Sequence, residues 1–229
     1  MTTHTLDLRS IRAILFDVDG TLYAQQPLRC RMVYELVKSF CRSPLETLAT
    51  TRYLQAFRRE RETLRDVDPG CELELWQYRL PSEKYGLDEK RLRVVVADWI
   101  HQRPLRYLKG CRRDDLDTFL LAARQHGVKL GTYSDYPAAA KVAALGLADH
   151  FDLHLCSTEP QINRFKPAPN GILAACDHWQ VEPGSLLYIG DRAAVDGAAS
   201  DAAGCHFLLI GQRGHDKYPA AKSYSFLYD

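Results

Sequence analysis

Residues 11–23 read Ile-Arg-Ala-Ile-Leu-Phe-Asp-Val-Asp-Gly-Thr-Leu-Tyr, and this stretch decides the fold. Its first half is a short apolar run, too brief for a helix and suited to a strand buried on both faces. The run stops at two carboxylates, Asp17 and Asp19, and Gly20 and Thr21 then turn the backbone. A buried strand ending in acids puts negative charge beyond its carboxyl end, where an open α/β sheet collects its ligands. Taken alone, the stretch also fits a strand followed by an Asp-Gly turn. Its meaning rests on what the rest of the chain supplies.

After Tyr23 the pattern becomes helical. Met32, Val33, Leu36, Val37, Phe40 and Cys41 recur at helical spacing. Ser43-Pro44-Leu45-Glu46 then reads as an N-cap, a first-turn proline and a capping-box acid, opening a second helix that runs to about Leu64. Residues 68–70, Asp-Pro-Gly, form a turn, and a further break is expected over 81–86. Asp88 starts another helix through Leu92, Val95, Val96 and Trp99 that ends before Pro104. No strand is expected between residues 25 and 105.

From about residue 106 short strands and helices alternate. Strands are expected over 128–133, 151–156, 186–189 and 206–210, and helices over 115–126, 137–145, 170–179 and 193–203. Gly127, Gly146 and Gly204 stand where helix ends favour glycine. This alternation predicts an α/β domain with a mostly parallel sheet covered on both faces. The core is then residues 1–24 and 106–229, and residues 25–105 are an all-helical insertion placed over the ligand crevice, where it can act as a lid.

The composition sets bounds. The 229 residues are 46% hydrophobic and 26% charged, which is ordinary for a globular protein with a substantial core. A formal net charge of +1 offers no basic field for nucleic acid or an acidic membrane surface. The mixed-sign clusters at 58–61 and 112–115 read as solvated helix faces. Seven scattered cysteines with no Cys-x-x-Cys pair suggest reduced thiols in a cytoplasmic protein. His150 and His154 lack the partners of a metal site. The first ten residues contain no apolar signal region, and no run is long enough to span a bilayer.

Polar groups stand at or near four strand ends: Asp17 and Asp19, Ser134, Lys166 in the loop 163–169, and Asp191 with Asp196. In a parallel sheet these ends share one edge, so the groups can converge. Carboxylates in that number repel one another without a cation, and an all-oxygen set suits Mg²⁺. Ser134 offers a hydroxyl at what reads as a helix N-terminus, a place for an anion. Lys166 offers a positive point charge for a phosphate or a neighbouring carboxylate. A cation, an anion site and a free carboxylate are the parts of phosphoryl transfer through an aspartyl-phosphate.

With those residues in order, the chain resembles the haloacid dehalogenase superfamily of phosphohydrolases. The first motif is Asp17-Val18-Asp19-Gly20-Thr21, the second the strand ending at Ser134, the third Lys166 in Lys-Pro-Ala-Pro, and the fourth 189–196, Ile-Gly-Asp-Arg-Ala-Ala-Val-Asp. A helical insertion between the first two motifs looks like the C1 cap of the phosphoglycolate-phosphatase-like subfamily. The resemblance implies a Rossmann-like, doubly wound core and a Mg²⁺-dependent phosphatase acting on a small phosphorylated metabolite. It implies that Asp17 is the nucleophile and Asp19 the general acid and base. Mg²⁺ would be held by Asp17, the Asp19 backbone carbonyl and Asp191, with Asp196 supporting the metal through water or holding Lys166. Ser134, the Asp135 amide and Lys166 would bind phosphate, with Thr21 orienting the turn at the phosphate site.

A phosphotransferase or phosphomutase uses the same groups and differs in whether water reaches the phosphoenzyme. Asp19 argues against dehalogenation, since a halide leaving group needs no acid and an alkoxide does. A non-catalytic regulatory relative would be expected to have lost Asp17 or Asp19. Phosphoglycolate, sugar phosphates and nucleoside monophosphates all fit as substrates, and both a monomer and a homodimer remain open. Arg29, Arg31, Arg52, Tyr53 and Arg58 are weak candidates to face the site, since such residues more often lie on a helix surface.

Overall fold

The computed structural model describes residues 10–67, 70, 72–212 and 214–227. The turn expected at 68–70 lies largely outside the described residues, as do Cys71 and the reading of the first nine. Strands β1 (Ala13–Phe16), β2 (Lys129–Ser134), β3 (Leu153–Cys156), β4 (Leu186–Gly190), β5 (His206–Ile210) and β6 (Ala220–Ala221) form one sheet in the order β3-β2-β1-β4-β5-β6. Every pairing is parallel. β1 lies centrally, with Phe16 in register with Thr132 on one side and Ile189 on the other. The chain builds outward from β1 to β2 and β3, then crosses to β4. The strand order therefore reverses beside β1, which puts the ligand crevice at its carboxyl end. The last strand, β6, has only two residues, too few for a sequence pattern to reveal it.

Alternation along β1 splits the core. Ile14 and Phe16 face one layer, with Leu120 of α6 (Leu116–Gln125) and Val142 of α7 (Ala139–Ala144). Ala13 and Leu15 face the other, with Ile172 and Trp179 of α8 (Asn170–Trp179) and Ala199 of α9 (Ala198–Ala203).

The helical stretch leaves this core and returns at one place. Tyr23 pairs with Arg112 in an antiparallel bridge, and the Ala24 N–H donates to the Cys111 carbonyl at 2.8 Å. Between them run α1 (Gln25–Arg42), α2 (Pro44–Thr63), α3 (Leu73–Tyr85), α4 (Glu89–Val96) with a π-helical turn over Ala97–Gln102, and α5 (Leu105–Leu108). Phe57, Tyr78, Leu92, Val96 and Trp99 give the stretch a hydrophobic cluster of its own.

Three local expectations change. The break expected at Pro81 does not form, because Pro81 lies buried inside α3 and the helix ends only at Gly86, in the left-handed region at φ 62°. Packing outweighs the backbone hydrogen bond a proline removes. Ser43 makes no side-chain cap; it closes α1 through its N–H to Ser39, and Glu46 pairs with Arg91 instead. The apolar residues of α1 form the expected helix, yet Val33, Val37 and Phe40 stay exposed.

Candidate active site

The sheet sets Asp17 at the end of β1, where its N–H donates to the Ile189 carbonyl of β4 at 2.8 Å. One carboxylate oxygen accepts from Lys166 Nζ at 2.6 Å, and the other from the Thr21 hydroxyl at 3.2 Å. Lys166 also donates to Asp196 Oδ1 at 2.7 Å and to the Tyr188 hydroxyl at 3.0 Å, so its three ammonium protons have partners. Asp196 is tied down further by the Arg192 N–H on its second oxygen. Burial pushes the Asp17 carboxyl up; Lys166 opposes this, while Asp196, Asp191 and Asp19 add to it.

Asp19 sits in a different field. Both its oxygens accept from Lys141 Nζ, at 2.6 and 2.7 Å, and the Tyr23 hydroxyl donates to Oδ1. Burial raises the Asp19 carboxyl, but Lys141 and the Tyr23 hydroxyl outweigh it, and the group lies below its ordinary value. The Asp19 carbonyl accepts from Gln25 Nε2 at 2.6 Å.

Ser134 is buried at the end of β2, with its hydroxyl accepting from the Tyr136 N–H. The Asp135 carboxylate is fully engaged, by the Ser157 hydroxyl, the Lys166 N–H and Arg65 Nη1 at 2.6 Å. Arg65 also donates to the Lys166 carbonyl at 2.7 Å, and Arg61 of α2 to the Asp135 carbonyl at 2.7 Å. Arg61 lies over the rings of Tyr136 and Phe165, 4.0 and 4.2 Å from their centres. The end of α2 is therefore fastened to the loops that carry Asp135 and Lys166.

Oxygens of Asp17, Asp191 and Asp196 lie within 4.8 Å of one another. Asp191 Oδ1 is buried and has no hydrogen-bond partner. Burial, then Asp196, push the Asp191 carboxyl up to about 6. A side chain at Gly20 would fill this cradle, since its Cβ would lie 2.0 Å from Asp191 Oδ2. An all-oxygen set with uncompensated negative charge and an orphaned buried oxygen fits a hard divalent cation. These groups open on a cavity of about 640 Å³ between the sheet edge and the helices.

The family model of the haloacid dehalogenase-like hydrolases matches residues 11–204. The chain belongs to that family. It is 27% identical over 198 residues to the glyceraldehyde 3-phosphate phosphatase of Methanopyrus kandleri, spanning 85% of this chain and 81% of the relative. It is 25% identical over 217 residues to the phosphoglycolate phosphatase of Nitrosospira multiformis, spanning 91% and 88%. Among solved structures, a 2-haloacid dehalogenase from Pseudomonas syringae pv. Tomato superposes with a TM-score of 0.64 at 20% identity, over 95% of this chain and 96% of that one, a likeness of fold. The chain is thus a hydrolase on the family's α/β scaffold. Among its described residues no helix is long and apolar enough to cross a membrane.

In this haloacid dehalogenase-like hydrolase the structure brings together Asp17, Asp19, Ser134, Asp135, Lys166, Asp191 and Asp196 around one cavity. Thr21 is fully buried behind Asp17 and does not line that cavity. Ser134 is not at a helix N-terminus, because α7 begins five residues later, at Ala139. Arg29 and Arg58 line the cavity; Arg52 instead bonds the Tyr85 carbonyl, and Tyr53 packs in the helical cluster. Sequence reading missed Lys141, Tyr23, Arg61 and Arg65. Lys141 carried a faint signal, as a lone charge in the otherwise apolar 138–145. The arginines carried none, Arg61 in a helix rich in charge and Arg65 just beyond its end.

Proposed function

We propose that the protein is a Mg²⁺-dependent phosphatase that hydrolyses a small-molecule phosphomonoester through an aspartyl-phosphate on Asp17. The observation that supports this best is the pairing of Asp17 and Asp19 on one cavity, each with its own lysine, beside the orphaned oxygen of Asp191. Asp17, Asp191 and Asp196 would hold the cation, which when bound supplies charge neutralisation for the transferring phosphoryl group. The Asp17 carboxylate attacks phosphorus and the bond to the leaving oxygen breaks. The bound phosphate's negative charge raises the Asp19 carboxyl against Lys141, and the protonated Asp19 hands its proton to that alkoxide. Asp19 then takes a proton from water as the water attacks the phosphoaspartate, releasing inorganic phosphate and restoring Asp17. The Ser134 hydroxyl and the Asp135 amide bind the phosphate oxygens. Lys166, saturated by Asp17, Asp196 and Tyr188, acts mainly by keeping the acids ionised. The helices of residues 25–105 serve as a cap that shields the phosphoenzyme and sets substrate identity.

The test is phosphate release from an aryl phosphate by chelator-treated protein, with and without Mg²⁺, alongside acid-quench trapping of labelled phosphoenzyme. Activity restored by Mg²⁺ and a trapped adduct are expected. Full turnover in excess EDTA would overturn the reading.

A further inference from the structure

The cavity extends well past the reacting acids. α1 lines it from Gln25, which bonds the Asp19 carbonyl, to Leu36, eleven residues on, a reach of about 16 Å at the helical rise. Its character changes along that length. Gln25 bonds the Asp19 carbonyl and Arg29 bonds Gln25, whereas Met32 and Leu36 of α1 pack against Leu54 of α2 and Trp99 and Ile100 of the π-helical turn, with Leu28 also on the lining. These apolar walls are not sealed as the deep core is. Leu28, Leu54 and Trp99 are each 9% exposed and Ile100 8%, while Leu92 and Val96 in the same helical layer are at 0%. Leu28, Leu54, Trp99 and Ile100 all line the cavity. A volume of about 640 Å³ is in the range of sites that enclose drug-sized molecules, far more than a phosphate with two or three carbons fills. Water against such walls is displaced favourably by an apolar group.

Resting on the phosphatase reading, we propose that the substrate is a phosphomonoester whose leaving alcohol carries an extended apolar body, seated between α1, α2 and the π-helical turn. Alkyl phosphates of increasing length test this, because their leaving oxygens have nearly equal basicity and differ only in apolar contact. With Mg²⁺, kcat/KM should rise from ethyl through butyl to hexyl phosphate, at up to about fourfold per added methylene and at least about tenfold in all. Val33 lines the same cavity but is 59% exposed, so a charge there is tolerated by the fold. Val33→Asp should lower kcat/KM for hexyl phosphate about fivefold more than for ethyl phosphate. A flat or falling series with ethyl phosphate still hydrolysed would overturn the apolar assignment and leave the phosphatase reading standing. If no member of the series is hydrolysed, the aryl-phosphate and phosphoenzyme test decides the phosphatase reading, and calorimetry decides the cavity's preference. Hexylphosphonate binding more tightly than ethylphosphonate would then support the apolar site, and equal binding would overturn it.

Discussion

Lys141 Nζ stands 2.6 and 2.7 Å from the two carboxylate oxygens of Asp19. The contact joins α7 to the turn after β1, across 122 residues of sequence, and the lysine is 5% exposed. Its ammonium fixes the direction of the carboxylate that, in the proposed mechanism, meets the leaving oxygen. Lys141→Met keeps the length and removes the clamp. We expect kcat/KM for an alkyl phosphate to fall about 10²-fold, the scale of a misplaced reacting group, with Lys141→Arg recovering part of it. A merely structural lysine would shift Tm and leave kcat/KM of the folded fraction unchanged. Steady-state kinetics beside a thermal melt separates the two.

Asp17→Asn should abolish turnover and the labelled phosphoenzyme together. It should not weaken the fold in metal-free buffer. Burial and the carboxylates of Asp196, Asp191 and Asp19 all disfavour charge at this position, and a neutral amide removes that repulsion at the expense of one bond from Lys166. Melts in EDTA should therefore show an unchanged or higher Tm, while the rise in Tm on adding Mg²⁺ shrinks relative to the parent. A labelled adduct persisting in the variant would place the nucleophile elsewhere.

Gly20 and Gly204 offer a matched pair. Both have positive φ, 103° and 73°, but a Cβ at Gly20 would meet Asp191 Oδ2 at 2.0 Å, whereas one at Gly204 has nothing within 4 Å. Gly204→Ala should lose about 1–2 kcal/mol from backbone strain alone. Gly20→Ala should lose more, because Asp191 must also move, and only Gly20→Ala should weaken a Mg²⁺ titration followed by Tm. Equal Mg²⁺ responses in the two variants would argue that Asp191 is not a cation ligand.

Those glycines also mark what the sequence could and could not say. The first five strands were legible because each is an apolar run bounded by turn residues, and parallel topology follows once helices lie between them. Asp17, Lys166 and Asp191 were legible because strand ends in such a sheet share an edge. Lys141 and Arg65 were not. Lys141 is a lone charge on an apolar helix and Arg65 one of many charges at the end of α2, and the partner of each, Asp19 or Asp135, is reached only when the chain closes over 122 or 70 residues. Pro81 misled for a related reason, since a buried packing position overrode a local breaker.

Arg65 fastens the end of α2 to the core through Asp135, at 2.6 Å, and through the Lys166 carbonyl. Burial raises the Asp135 carboxyl, but Lys166, Arg65 and Arg61 outweigh it and bring the group down to about 2. A carboxyl held below its unfolded value of about 3.9 contributes stability above that pH and loses it as pH falls toward 2. The contribution is about 2 kcal/mol at neutral pH, shared among the three cations. Arg65→Ala should remove about 1 kcal/mol or more at pH 7, a fall in Tm of about 2–4 °C per kcal/mol for a chain of this size. Below pH 2 Asp135 is protonated whether or not the arginine is present, so the electrostatic part of the difference should close as pH falls from 4 to 2. Lys166 is positioned through the same arginine, so KM for a phosphomonoester should rise as well. Both bonds leave Arg65 Nη1, so Arg65→Lys, whose ammonium carries three donors on one nitrogen, should recover the pH dependence and part of the loss in KM. Chemical denaturation across pH, with kinetics at neutral pH, reads both; a gap between parent and Arg65→Ala that is constant from pH 7 to 2 would show that the arginine acts by packing and not through Asp135.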